Sequence, residues 1–83
     1  MSEDQITKIV EVLSQIESDT SVPKNIRIRI SNAILALNEA ETTIAVKIDR
    51  SLQELDSLDE DPNIPAYTRT QIWNVVSLLE CIG

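Results

Sequence analysis

The sequence predicts an all-α protein, a four-helix up-and-down bundle made of two tandem helical hairpins. Three observations predict it. Apolar residues recur at three and four positions through most of the chain, the period of an amphipathic helix and not of a strand. The second half repeats the first at an offset of 42 residues. Pro23, Pro62 and Pro65 fall between the periodic segments, and the single glycine is the last residue.

The repeat aligns Ile6 with Ile48, Leu13 with Leu55, Asp19 with Asp61, Pro23 with Pro65, Arg27 with Arg69 and Ile30 with Ile72. Because this offset is a multiple of seven, two helix-period segments produce part of the aliphatic agreement by themselves. The informative part is Asp-x-x-apolar-Pro-x-x-x-Arg, present once in each half.

Helix one is expected over about Glu3 to Ser18, with Ser2 and Gln5 spaced as a capping box and Ile6, Ile9, Val10, Leu13 and Ile16 on one face. Asp19 to Val22 is then the turn. Pro23 opens helix two, since proline is tolerated in the first turn, where its missing amide has no partner. Ser21 and Asn63 are equivalent N-cap types. The residue before proline avoids helical angles, so Val22 and Ile64 are the alternative caps.

Helix two is expected to run to about Asn38 with Ile26, Ile30, Ala33, Ile34 and Leu37 inward. Helix three follows from about Thr43 to Asp59 with Ile44, Ile48, Leu52, Leu55 and Leu58 inward. Helix four, Ile64 to Ile82, turns Ile64, Thr68, Ile72, Val75, Val76, Leu79 and Ile82 inward. The join between helices two and three has no Gly or Pro, and the heptad run Ile30, Ile34, Leu37, Glu41, Ile44, Ile48 could pass straight through. A break is expected there because Glu41 would put a charge in the seam and Thr42-Thr43 is a poor helix pair with cap-forming hydroxyls. The hairpins then cover about residues 3–38 and 43–82 of a single helical domain over 1–83.

Composition narrows the chemistry. The 83 residues carry 7 Lys plus Arg against 14 Asp plus Glu, a net charge of −7, and are 42% hydrophobic, which is ample for a folded core. Absence of His removes Ser-His and Cys-His nucleophile pairs, imidazole ligands and di-metal Glu-x-x-His bundles. A lone terminal Gly leaves no glycine-rich phosphate cradle. No catalytic residue, cofactor or enzyme activity is expected. Cys81 has no intramolecular disulfide partner, and Met-Ser-Glu-Asp lacks the basic and apolar regions of a secretory signal, so a cytoplasmic location is expected. No apolar run approaches the roughly 20 residues of a membrane span, so no membrane association is expected.

Glu60-Asp61-Pro62-Asn63-Ile64-Pro65, followed by Arg69-Thr70 and Ile72-Trp73, together with the first copy of the Asp, Pro and Arg pattern, resembles a small archaeal family. Its members are known only as an uncharacterised family of short, acidic, helical proteins. The resemblance covers essentially the whole chain. It implies a four-helix bundle in an archaeal cytoplasm and supplies no activity, ligand or catalytic residue. A helical hairpin with Asp-Pro and a later Arg is more loosely similar to HEAT-type repeats, although the spacing differs and two copies are too few for a solenoid.

Asp59, Asp61 and Asn63 occupy the first, third and fifth places of a calcium loop, but Ile64 stands where that loop needs glycine and Thr70 where it needs a bidentate acid. Carboxylates ahead of a helix also complement its dipole. Asp19 with Arg27, and Asp61 with Arg69, read as ion pairs that fix the inter-helix turns, with Pro23 and Pro65 as structural partners. Cys81, near a helix C-terminus, is not an activated nucleophile.

Ile28 and Leu35 lie a heptad apart and almost opposite Ile30 and Leu37, while Val12, Val46 and Leu78 also fall outside their core stripes. Trp73 sits off the Ile72, Val76 and Leu79 face, and Tyr67 is the other aromatic. Contiguous surplus apolar surface marks contacts. The leading expectation is therefore a noncatalytic interaction module, a homodimer through Ile28, Leu35 and Trp73 or a unit docking on another protein. The alternative is a metal- or small-ligand-binding bundle around Asp59, Asp61 and Arg69. Nucleic-acid association through Lys24, Arg27 and Arg29 ranks last, because the excess of negative charge repels phosphates.

Overall fold

Residues 2–56 and 58–82 are described by a computed structural model, without the side chains of residues 2, 3 and 59. They form α1 (Ser2–Glu17), α2 (Lys24–Leu37), α3 (Ile44–Leu55), a single 3-10 turn (Leu58–Glu60) and α4 (Ala66–Ile82). The Ser2 and Gln5 capping box lies outside the described side chains. None of the described residues is in a strand.

The three inter-helix connections start alike, with an acidic side chain accepting from the backbone amide two residues on. Asp19 Oδ1 accepts from Ser21 N at 2.9 Å, Asp61 Oδ1 from Asn63 N at 2.8 Å, and Glu39 Oε1 from Glu41 N at 3.5 Å. In the outer two, a backbone bond closes the turn, Val22 N to Asp19 O at 3.1 Å and Ile64 N to Asp61 O at 3.3 Å. Each next helix is then entered from an equivalent residue. The carbonyls of Pro23, Thr43 and Pro65 each accept an amide four residues on, from Arg27, Lys47 and Arg69, at 3.0 Å.

These bonds move the helix starts. Pro23 itself occupies the N-cap of α2 with φ −55° and ψ 146°, and α4 begins at Ala66 after Pro65, so Ser21, Val22, Asn63 and Ile64 are turn residues and not caps. Ser21 donates both its amide and its hydroxyl to Asp19 within the turn. The extended ψ of proline satisfies what a cap position requires. Between α2 and α3 the expected break is real. Asn38 ends α2, and Thr43 caps α3 by accepting from Val46 N on its hydroxyl at 3.3 Å.

Helix three ends at Leu55, four residues before its expected limit. Asp56 turns the chain out with φ −60° and ψ 133°, and the 3-10 turn that follows puts Leu58 into the core. Ile64, two residues ahead of α4, is likewise buried from the turn.

Each helix packs against its neighbours in sequence, and α4 returns to α1, closing a ring around one core. Contacts fix an antiparallel order. Tyr67 at the start of α4 reaches Asp19 just past the end of α1, and Arg29 near the start of α2 reaches the last turn of α3. Ile9, Leu13, Ile30, Ala33, Val75 and Leu79 are wholly buried at the centre. Val10, Ile34, Ile44, Leu52, Val76 and Ile82 close the edges. Val12, expected outside its stripe, also packs against the core. Where the first hairpin buries Ile9 and Ile26, the second buries Ser51 and Thr68. Ser51 donates its hydroxyl to Ile48 O at 2.9 Å, whereas the buried Thr68 hydroxyl has no hydrogen-bond partner. No described helix is long and apolar enough to cross a membrane.

Candidate functional site

The two copies of the Asp, Pro and Arg pattern lie at the same end of the bundle but use their groups differently. The Asp19 carboxylate accepts from the Ser21 amide, from the Ser21 hydroxyl at 2.6 Å and from the Tyr67 hydroxyl. The Ser21 hydroxyl, then Tyr67, then the Ser21 amide hold the Asp19 carboxyl below its usual value, and Arg27 adds a smaller pull through its charge. In the second copy Arg69 Nη2 donates to the backbone carbonyl of Asp61 at 3.2 Å, while the Asp61 carboxylate serves Asn63. In both copies the acid binds the amide two residues on within its own turn. Nε of Arg27 and Nε of Arg69 are both buried without a hydrogen-bond partner.

Asp61 and Asn63 are joined to each other, and the Asp59 side chain lies outside the described atoms. Among the described residues no three Cys, Asp or Glu side chains cluster closely enough to hold a metal ion. The basic trio at the start of α2 is also divided. Arg29 Nε donates to Glu54 O at 3.1 Å and its Nη2 to Gln53 O at 3.5 Å, which covers carbonyls in the last turn of α3. Asn32 supports it by donating to Glu54 Oε1 at 3.3 Å. Arg27 is half-buried, and Lys24 is exposed. Cys81 is an exposed free thiol.

The surplus apolar side chains are exposed: Ile28 at 51%, Leu35 at 66% and Trp73 at 53%, with Val46, Tyr67 and Leu78 also open. They do not share one face. At about 100° per residue Ile28 and Leu35 point straight out from α2, along one line two turns long. Tyr67 sits against the α1–α2 turn. Trp73 instead walls a groove of about 370 Å³ between α3 and α4, the most sparsely packed pair of the ring. Leu52, Ile72 and Val76 form its floor, and Asp49, Asp56 and Glu80 its rim. Sequence reasoning missed this groove. Its signal was the heptad spacing of Asp49 on α3 with Asp56 at its end, and of Trp73 with Glu80 on α4, which sets each pair on one side of its helix.

Residues 1–82 match the model of the family described as "Uncharacterised protein family (UPF0147)". The chain belongs to the UPF0147 family. Among its relatives, the UPF0147 protein of Metallosphaera sedula is 42% identical over 81 residues, covering 98% of this chain and 91% of that protein. UPF0147 protein PF0239 of Pyrococcus furiosus is 43% identical, covering 96% and 87%. A crystal structure described as "unknown function protein MMP1188" superimposes with a TM-score of 0.93 at 43% identity, covering 100% of this chain and 94% of that one. The four-helix arrangement of this UPF0147 protein is therefore shared with an experimentally determined structure.

Proposed function

We propose that this UPF0147 protein is a noncatalytic helical interaction module of the cytoplasm that self-associates as a two-fold dimer through the outer face of α2. The observation that carries the reading is Ile28 and Leu35, more than half exposed and aligned on that face. Single exposed aliphatics are ordinary, but two on one helical line form a ridge that a copy of itself can cover. Trp73, on the α3 and α4 side, is not part of this ridge. The acidic surface keeps such a module dispersed.

Sedimentation velocity at protein concentrations on the order of tens of micromolar tests it. The native chain is expected to sediment as a dimer and the Ile28→Lys, Leu35→Lys double variant as a monomer. A monomeric native chain, or a dimer untouched by the double variant, refutes the reading.

A further inference from the structure

We infer that the groove between α3 and α4 docks an amphipathic helix of a partner protein, one that carries Lys or Arg on both flanks of a short apolar stripe. This site is separate from the α2 ridge and does not depend on dimer formation. Its floor of Leu52, Ile72 and Val76, walled by the half-exposed Trp73, offers an apolar strip that only an apolar guest would desolvate favourably. The rim sets the charge of the guest's edges. Asp49 and Asp56 stand on the α3 bank and Glu80 on the α4 bank, all exposed, and none of the described residues lining the groove is Lys or Arg. An acidic guest would face like charge on both sides, and a basic one finds partners on both.

Asp49 on α3 and Asp56, the residue that ends it, are separated by a rise of about 10.5 Å, which matches basic residues a heptad apart along a helical guest. The net charge of −7 draws the same kind of partner toward the molecule from a distance. A second copy is the rival occupant, since α2 carries Lys24, Arg27 and Arg29 and no acid. Against it, Arg29 is engaged with α3 and Arg27 is half-buried.

The test titrates the Ile28→Lys, Leu35→Lys chain with three synthetic peptides of equal length. One is an amphipathic Leu/Lys helix, one is the same composition scrambled out of helical register, and one has Glu in place of Lys. Trp73, the only tryptophan, reports by fluorescence, and amide chemical shifts report location. The amphipathic Lys peptide is expected to shift Trp73 emission to shorter wavelength and to perturb α3 and α4 amides around the groove. The scrambled and Glu peptides are expected to do neither. Asp49→Lys with Glu80→Lys, both surface changes checked for fold by circular dichroism, should weaken binding by at least about tenfold. Equal binding of all three peptides, perturbation away from the groove, or indifference to the charge reversal overturns the inference. So does loss of native self-association in the Asp49→Lys, Glu80→Lys chain, which would make a second copy the occupant. Sedimentation of the α2 variant reads the dimer separately, so the two ideas fail by different measurements.

Discussion

Tyr67, at the start of α4, donates its phenolic hydroxyl to the carboxylate of Asp19, 48 residues earlier, and thereby ties the α1–α2 turn to the last helix. The same carboxylate binds the amide and hydroxyl of Ser21, so one acid both shapes its own turn and joins the ends of the chain fold. Removing the phenol separates those two tasks.

Tyr67→Phe is expected to raise the Asp19 carboxyl toward its ordinary value without erasing the Ser21 contribution, as read by carboxyl chemical shifts against pH. Because the folded-state value lies below the unfolded one, the stabilisation is fully present above the unfolded value and is lost as pH falls through the folded value. Denaturation midpoints of native and Tyr67→Phe chains should therefore differ at pH 7 and converge in strong acid. A constant difference across that range would show that the phenol acts by packing alone.

Thr68→Val should stabilise the bundle. The Thr68 hydroxyl is buried among aliphatics with no hydrogen-bond partner, at the place where the first hairpin has Ile26. Replacing it by a methyl of similar size removes a desolvated polar group, a gain of about 1 kcal/mol by urea unfolding. A loss of stability would reveal a partner for the hydroxyl, such as a buried water.

Thr43→Ala should cost about 1 kcal/mol, because Thr43 is the residue that caps α3 with its side chain. The effect should appear as faster hydrogen exchange at the start of α3. Unchanged exchange there would show that the neighbouring acid turn holds the helix start unaided.

Arg29→Met keeps the stem and deletes the guanidinium that covers the Gln53 and Glu54 carbonyls. A loss of about 1 kcal/mol is expected, with accelerated exchange at the C-terminal end of α3. If the loss is absent, water satisfies those carbonyls equally well.

Leu13→Ala and Leu35→Ala make the same chemical change at opposite extremes of exposure. The first removes a wholly buried side chain and should cost about 2 to 5 kcal/mol. The second, in the monomeric state, should stay within about 0.5 kcal/mol of native. Comparable losses would mean that Leu35 is covered.

Much of this could be read from residue spacing. The core stripes of all four helices follow from the positions of Ile, Leu and Val, because a helix with period 3.6 has one face to bury. Thr42-Thr43 located the break between α2 and α3 for a physical reason found there, a hydroxyl cap on α3. The surplus residues Ile28, Leu35, Val46 and Leu78 were identifiable by angle alone, whereas Val12 was not. An angle gives the direction of a side chain but not how close the adjacent helix comes, and at Val12 that distance brings the side chain onto the core.

The α3 terminus was illegible for a similar reason. No Gly or Pro stands between Leu55 and Asp59, yet the chain leaves the helix at Asp56 and Leu58 is buried from the turn that follows. The sequence by itself determined four amphipathic helices, their order, the residues that line the core and the two Asp, Pro and Arg turns, all of which follow from backbone period and short-range hydrogen bonding. Only the tertiary structure decided that Asp19 answers to Tyr67 and Arg29 to α3, and that Trp73 walls a groove with acids on both banks. Those relationships join residues far apart in the chain, and the distance and orientation of packed helices set them, quantities that no local pattern encodes.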